Sequence, residues 1–302
     1  MVGGWGFMDI RVLEYYLIVA REESITKAAA ILHVTQPTLS RQLMQLEELQ
    51  VKLFNRTSHS VVLTEDGLLF KRRAQEIVAL SEKTKRDFIR GNRELSGEIG
   101  IGCGEFRSIQ IIAQIMKEFK KEHPFVTFQI YSGNSSNIKE RIESGILDIG
   151  VILDYVDIRK YEYVRIPLSE EWGVLVREDS PLAAMEYVTP EDIRELPLII
   201  SERSMRDNEL ADWIGKKYED LNIVSTYNLM YNAAIMVANG MGVAGCIKLD
   251  CRYEGTRFVP ARPSVKNNSV FAWKKALSQS QAVSSFIEFS RIYIKRISSN
   301  TT

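Results

Sequence analysis

Near the amino end, two short helical runs lie only two residues apart, and this spacing constrains the fold more tightly than any other feature of the sequence. The first run carries Ile25, Ala28, Ala29 and Leu32 on one face, and the second carries Leu39, Leu43 and Leu46 at i, i+4 and i+7. Joined only by His33-Val34, the runs must pack against each other, and the alanines are small enough to allow a close approach. Ser24 is placed to cap the first run and Thr35 the second, with the Thr35 hydroxyl accepting the Thr38 amide. Pro37 is tolerated because first-turn amides have no intrahelical partner. An earlier run with Leu13, Tyr16, Leu17 and Ala20 in a stripe completes a three-helix unit.

With its leucines turned inward, the third helix presents Gln36, Pro37, Thr38, Ser40, Arg41 and Gln42 around its leading end and outer face. Short hydrogen-bonding side chains and a guanidinium can read base edges in a major groove, where a helix-turn-helix places its second helix. Residues 52–56 and 61–64 flank Thr57-Ser58-His59-Ser60 and read as a β-hairpin, or wing, of the kind that touches phosphate. The pattern also suits a three-helix bundle making protein contacts. In that reading Thr35 is only a cap and His59 only a turn residue.

Charge bears on the choice. Lys+Arg and Asp+Glu each total 39, so the whole chain has no net field to draw it to nucleic acid, and residues 1–98 hold 14 basic against 13 acidic side chains. One such unit would hold DNA weakly; two would do better. Thr64, Glu65 and Asp66 start a long helix to about residue 90, with Phe70, Ala74, Ile77, Ser81, Thr84 and Phe88 at three- and four-residue spacing, a stripe that calls for a partner helix.

Beyond Ser96-Gly97 the pattern changes to strand-like runs near 98–103, 127–131, 149–153, 172–176, 198–201, 223–227, 243–247 and 269–273. Helical runs at 109–122, 137–144, 208–219 and 231–239 separate many of them, which implies parallel sheets with crossover helices. Cys103, Cys246 and Cys251 are an odd number that fits a reducing compartment, and the scattered His33, His59 and His123 give no metal-ligand spacing. The opening Met1-Val2-Gly3-Gly4-Trp5-Gly6-Phe7-Met8 lacks the layout of a signal peptide and reads as a tail, with Met8 an alternative start; no apolar stretch reaches membrane-spanning length. A cytoplasmic protein without a membrane partner is expected. There is no GxGxxG after a strand, no GxxxxGKS and no Ser-His-Asp grouping, so no catalytic residue, metal or cofactor is expected.

The segment Ser24-Ile25-Thr26-Lys27-Ala28-Ala29-Ala30-Ile31-Leu32-His33-Val34-Thr35-Gln36-Pro37-Thr38-Leu39-Ser40-Arg41-Gln42-Leu43, followed by Leu46-Glu47-Glu48, Leu53-Phe54-Asn55-Arg56 and Leu63-Thr64-Glu65-Asp66-Gly67, resembles the winged helix-turn-helix of LysR-type transcriptional regulators. Further along, Gly145-Ile146-Leu147-Asp148-Ile149-Gly150, Ser180-Pro181-Leu182-Ala183 and Val237-Ala238-Asn239-Gly240-Met241-Gly242-Val243 resemble blocks of that family's effector domain. The resemblance implies a mixed α and α/β chain: a winged helix-turn-helix over 8–66, a linker and dimerisation helix over 67–93, and a two-lobed domain of periplasmic-binding-protein type over 98–302. Lobe one takes 98–166 and 270–302, and lobe two takes 167–269. The helix from Thr35 would enter the major groove of double-stranded promoter DNA, with Arg41 and Arg56 on the backbone and Ser58 and His59 in the wing. An antiparallel homodimer, or a tetramer, is implied, with RNA polymerase a further partner.

Three places depart from the family pattern. Leu49-Gln50-Val51-Lys52 is one residue shorter and lacks a Gly, the wing carries His59 and Val62 where Arg is usual, and Gly245-Cys246-Ile247 replaces a Leu-Pro step.

Ligands of open parallel sheets collect at the carboxyl ends of strands, where helix N-termini offer unpaired amides. This selects Glu105, Arg107 and Ser108 after the first strand and Asn134 and Ser135 after the second; on the other lobe it selects Ser201, Glu202, Arg203 and Tyr227. Arg107 and Arg203 suit an anionic effector unless Glu105 and Glu202 neutralise them. The serines also suit helix caps. Lys248 and Arg252 near Cys246 and Cys251 raise the further option of a thiol sensor.

Overall fold

The computed structural model describes residues 9–47, 51–56, 61–88, 95–153, 158–202, 209–275 and 279–299. The chain divides into two compact units, Met1–Arg90 and Gly91–Thr302.

In the first unit, α1 (Ile10–Glu22) starts at Asp9, whose carboxylate accepts the Arg11 amide at 2.9 Å. Ser24 caps α2 (Ile25–Ile31) by accepting the Lys27 amide at 3.3 Å, and α3 (Gln36–Glu47) follows. Buried Val12, Leu13, Tyr16 and Val19 of α1 meet Ala28 and Ala29 of α2 and Leu39, Leu43 and Leu46 of α3. Two strands, β1 (Phe54–Arg56) and β2 (Val61–Leu63), pair antiparallel. The Glu47 carboxylate accepts the Leu53 and Phe54 amides at 3.2 and 3.3 Å, tying the end of α3 to β1.

The long α4 (Glu65–Phe88) is started by Thr64, which accepts the Gly67 amide at 2.9 Å and donates to the Lys52 carbonyl at 2.6 Å. Tyr16 donates to the Gly67 carbonyl at 2.7 Å, and its ring centroid lies 4.9 Å from those of Phe54 and Phe70. The stripe expected on this helix is therefore divided. Phe70 and Ala74 pack into the core of their own unit, whereas Ile77 joins Leu69 and Leu80 as exposed apolar side chains. The Phe88 side chain lies outside what is described.

The second unit is built on β3 (Ser96–Cys103), α5 (Ile109–Glu122), β4 (Phe125–Ser132), α6 (Ser135–Glu143), β5 (Ile149–Leu153) and β6 (Tyr161–Arg177). It continues through α7 (Pro190–Ile193), β7 (Leu198–Ser201), α8 (Glu209–Ile214), β8 (Ile223–Tyr227), α9 (Met230–Ala238), β9 (Val243–Ile247), β10 (Thr256–Pro260), β11 (Lys266–Lys274) and α10 (Gln281–Ser299). The strand order is β4-β3-β5-β11-β6-β9-β7-β8, with β10 also paired to β6.

The expectation of parallel sheets holds only in part. The pairs β3–β4, β3–β5, β7–β8 and β7–β9 are parallel, but β11 is antiparallel to β5 and β6, and β6 is antiparallel to β9 and β10. The parallel pairs are those reached through α5, α6, α8 and α9, whereas no described helix lies between β9 and β10 or between β10 and β11. The strand expected at 172–176 extends back to Tyr161. Its first part pairs with β11, while Trp172–Leu175 pairs with β9, so one strand runs through both lobes.

The helix expected at 208–219 is cut to Glu209–Ile214 by Gly215 at φ +73°, followed by a 3-10 turn at Tyr218–Asp220. One lobe's core joins Ile112, Ile115 and Phe119 of α5 to Phe286 of α10, with the Phe119 and Phe286 rings 5.0 Å apart. The other lobe's core lies around Val174, Ile193, Leu198 and Ile214. No described helix is long and apolar enough to cross a membrane.

Candidate nucleic-acid interface and ligand cleft

The buried seam Leu39-Leu43-Leu46 fixes which side of α3 faces outward. Gln36, Pro37, Thr38 and Arg41 are exposed, and Ser40 is half-buried beside them. Thr35 caps the helix: its hydroxyl accepts the Thr38 amide at 3.4 Å and lies 2.8 Å from the Thr38 hydroxyl. Arg41 has no ion-pair partner among the described residues, so its charge is not cancelled locally. Gln42 differs from its neighbours. It is half-buried, and its Oε1 is shut off from solvent without a hydrogen-bond partner. Arg56 has its backbone in β1 opposite Val61, while Ser58 and His59 lie outside the described residues.

In the second unit, a cavity of about 100 Å³ lies where the β3–α5 and β4–α6 connections face the ends of β7, β8 and β9 and the start of α9. Of the expected residues, Glu105, Asn134, Ser135, Ser201 and Tyr227 line it; Arg107, Ser108 and Glu202 do not, and Arg203 lies outside the described residues. The Glu105 carboxylate accepts the Met230 amide at the start of α9 at 2.5 Å. Arg107 is diverted from any ligand by Asp250, at 2.9 Å from Nε, and Gln110 donates to the same carboxylate at 2.7 Å. Its own amide and that of Ser108 donate to the fully buried Glu170 carboxylate at 3.1 and 3.0 Å.

The serines do not all cap. The Ser108 hydroxyl is buried without a partner, and it is Asn134, not Ser135, that caps α6 by accepting the Asn137 amide at 2.9 Å. Tyr227 donates to the Gly245 carbonyl at 2.8 Å, and burial pushes its phenol above the ordinary range.

Glu170, Asp250, Met230 and Trp172 shape this region and were not selected from sequence. Glu170 sits in an acidic pair within a strand, where nothing local signals burial, and Asp250 and Met230 act through contacts more than 100 residues away. The thiol-sensor option loses support. Cys246 and Cys103 are buried, and burial pushes both thiols up to about 12; Cys251 alone is exposed. Among the described residues no cluster suits a metal ion.

Known proteins agree with this architecture. Residues 10–68 match the family model for bacterial regulatory helix-turn-helix proteins of the lysR family, and residues 92–293 match that for the LysR substrate binding domain. The HTH-type transcriptional regulator BsdA of Bacillus subtilis (strain 168) is 36% identical over 219 residues, 72% of this chain and 74% of BsdA. YybE of the same organism, another HTH-type transcriptional regulator, is 29% identical over 244 residues, 78% of this chain and 82% of YybE.

Among solved structures, CbnR, a LysR family transcriptional regulator, superposes with a TM-score of 0.75 at 20% identity, covering 95% of this chain and 99% of CbnR. Full-length CbnR complexed with its target DNA gives 0.72 at 21% identity, covering 95% of this chain and all of CbnR. The chain belongs to the LysR family of transcriptional regulators: a DNA-binding winged helix-turn-helix followed by an effector-binding domain of two α/β lobes.

Proposed function

We propose that this regulator binds double-stranded promoter DNA as a homodimer and alters transcription when a small effector occupies the cavity between its lobes. What carries the reading is the outer face of α3, where Gln36, Thr38 and Arg41 stand exposed above a buried leucine seam. Gln36, Thr38 and Ser40 would read base edges; Arg41 and Arg56, with Ser58 and His59 in the wing, would hold phosphates. Thr35 and Pro37 set the leading end of the helix, and Gln42 sits at its margin.

The functional divisions we assign are 8–66 for DNA binding, 67–93 for the linker helix and 98–302 for effector binding. Leu69, Ile77 and Leu80 on α4 supply the dimer face, which two dimers can extend to a tetramer. Glu105, Asn134, Ser135, Ser201 and Tyr227 would meet the effector, with Arg203 beside Ser201 and Glu202. Arg107 and Ser108 would act through Asp250 and Glu170 instead of by contact. RNA polymerase is the partner through which such a protein would act, in the cytoplasm and without catalysis.

A mobility-shift assay on DNA upstream of the protein's own gene tests this reading. Retardation by the wild type that is weakened in Arg41→Ala supports it, and no retardation of that DNA in dilute buffer contradicts it.

A further inference from the structure

The cleft cavity of about 100 Å³ is one-sided in its chemistry. Among its described lining residues Glu105 alone is charged, and three aromatic side chains, Phe106, Trp172 and Tyr227, line it as well. The Glu105 Oε2 accepts the Met230 amide, while Oε1 has no partner among the described residues. Burial first, then Cys246 and Glu105, push the Tyr227 phenol up, so the negative charge is felt inside the cavity. Two cations next to the lining in sequence are already neutralised: Arg107 pairs with Asp250 at 2.9 Å and Lys248 with Glu171 at 3.3 Å. The helix starts that favour an anion each hold a side-chain oxygen, α6 that of Asn134 at 2.9 Å and α9 that of Glu105.

We propose that this cleft takes a methylated ammonium head, held among the aromatic side chains with its charge against Glu105, so that the effector is an organic quaternary cation. The inference rests on the reading of the cleft as the effector site and names the chemistry that fills it. Aromatic walls attract such a cation electrostatically, and it brings no N–H to be satisfied. A primary ammonium would bring three donors, whereas the Asn134 oxygen is already committed to α6 and a single carboxylate oxygen of Glu105 stands open. Size agrees as well. An apolar cavity of about 150 Å³ admits benzene, so this one holds roughly four heavy atoms, a trimethylammonium group, with the rest of the molecule outside the cavity.

Equilibrium dialysis of the full chain tests this with three probes of one shape: choline, its uncharged isostere neohexyl alcohol, and the anion tert-butylacetate. Choline is expected to bind once per chain and about tenfold more tightly than the alcohol, the scale of a desolvated cation–ring contact, with tert-butylacetate weaker still. Glu105→Gln keeps an acceptor for the Met230 amide and removes the charge, so it should weaken choline about threefold and leave the alcohol unchanged. Asn228→Trp, at an exposed position on the cleft wall, should abolish choline binding. Choline that fails to bind the folded wild type, binds no better than the alcohol, binds Glu105→Gln as tightly, or persists in Asn228→Trp overturns the proposal. Tert-butylacetate that outbinds choline and is lost from Asn228→Trp also overturns it, yet leaves the cleft as the effector site; the mobility shift with Arg41→Ala tests the DNA-binding reading independently.

Discussion

The Glu105 carboxylate accepts the backbone amide of Met230 at 2.5 Å, joining residues 125 positions apart. A side chain from the β3–α5 connection thereby meets one of the unpaired amides at the start of α9, where the helix dipole favours negative charge. Glu170 does the same for the leading end of α5. Both of these helix starts already hold a protein carboxylate, so an anionic effector would have to displace Glu105 to use the α9 amides. Glu105→Ala should lower stability by about 0.5–1 kcal/mol, while Glu105→Gln, which keeps an acceptor, should lose less. Urea unfolding of the full chain checks this, and equal losses in the two variants would contradict it.

Gly67 should not tolerate even a methyl group. A Cβ there would meet the Leu53 carbonyl oxygen at 2.2 Å, and that oxygen belongs to backbone held by Glu47 and Thr64 and cannot swing away. Gly67→Ala should cost about 1–3 kcal/mol through overpacking, seen as a lower urea midpoint for the DNA-binding unit. A midpoint unchanged from wild type would mean that the turn into α4 is looser than described.

How much of this was legible in the sequence depends on the range of the interaction. The caps at Ser24, Thr35 and Thr64 and the leucine seam of α3 are settled within a few residues, and each could be named from spacing alone. The division of the α4 stripe was hidden because helix periodicity marks apolar positions without saying whether α1 or another chain covers them. Arg107 looked like an anion clamp because its partner Asp250 is 143 residues away. The early half of β6 was missed because Glu162, Tyr163 and Arg165 are exposed along it and break the apolar run that marked Trp172–Leu175.

The proposed homodimer pairs through the exposed apolar residues of α4, which predicts how it fails. Ile77 and Leu80 are 38% and 43% exposed and lie one turn apart on a helix whose earlier residues Phe70 and Ala74 already pack on α1. Leu80→Glu should leave the unit folded yet place a charge in the pairing face, so sedimentation should show monomers where the wild type gives dimers or tetramers. A Leu80→Glu protein that sediments like the wild type would remove α4 from the interface.

The buried thiols give a pH dependence of fixed sign. Cys103 and Cys246 ionise near 12 in the folded chain, held up chiefly by burial, and near 9 when unfolded. Their contribution to stability is therefore whole below about pH 9 and is lost as the pH rises towards 12. Cys246→Ala should flatten that alkaline decline. In the folded state a thiol reagent should modify one cysteine, Cys251, and reach all three only after denaturation.

Footprinting at several salt concentrations tests most directly whether α3 enters duplex DNA. The full chain should protect two half-sites on one face of the duplex. Arg41→Ala should weaken protection at every sequence and reduce the salt slope by about 1, whereas Gln36→Ala and Ser40→Ala should change which bases are preferred. Protection that is absent in dilute buffer, or identical in all three variants, would contradict it.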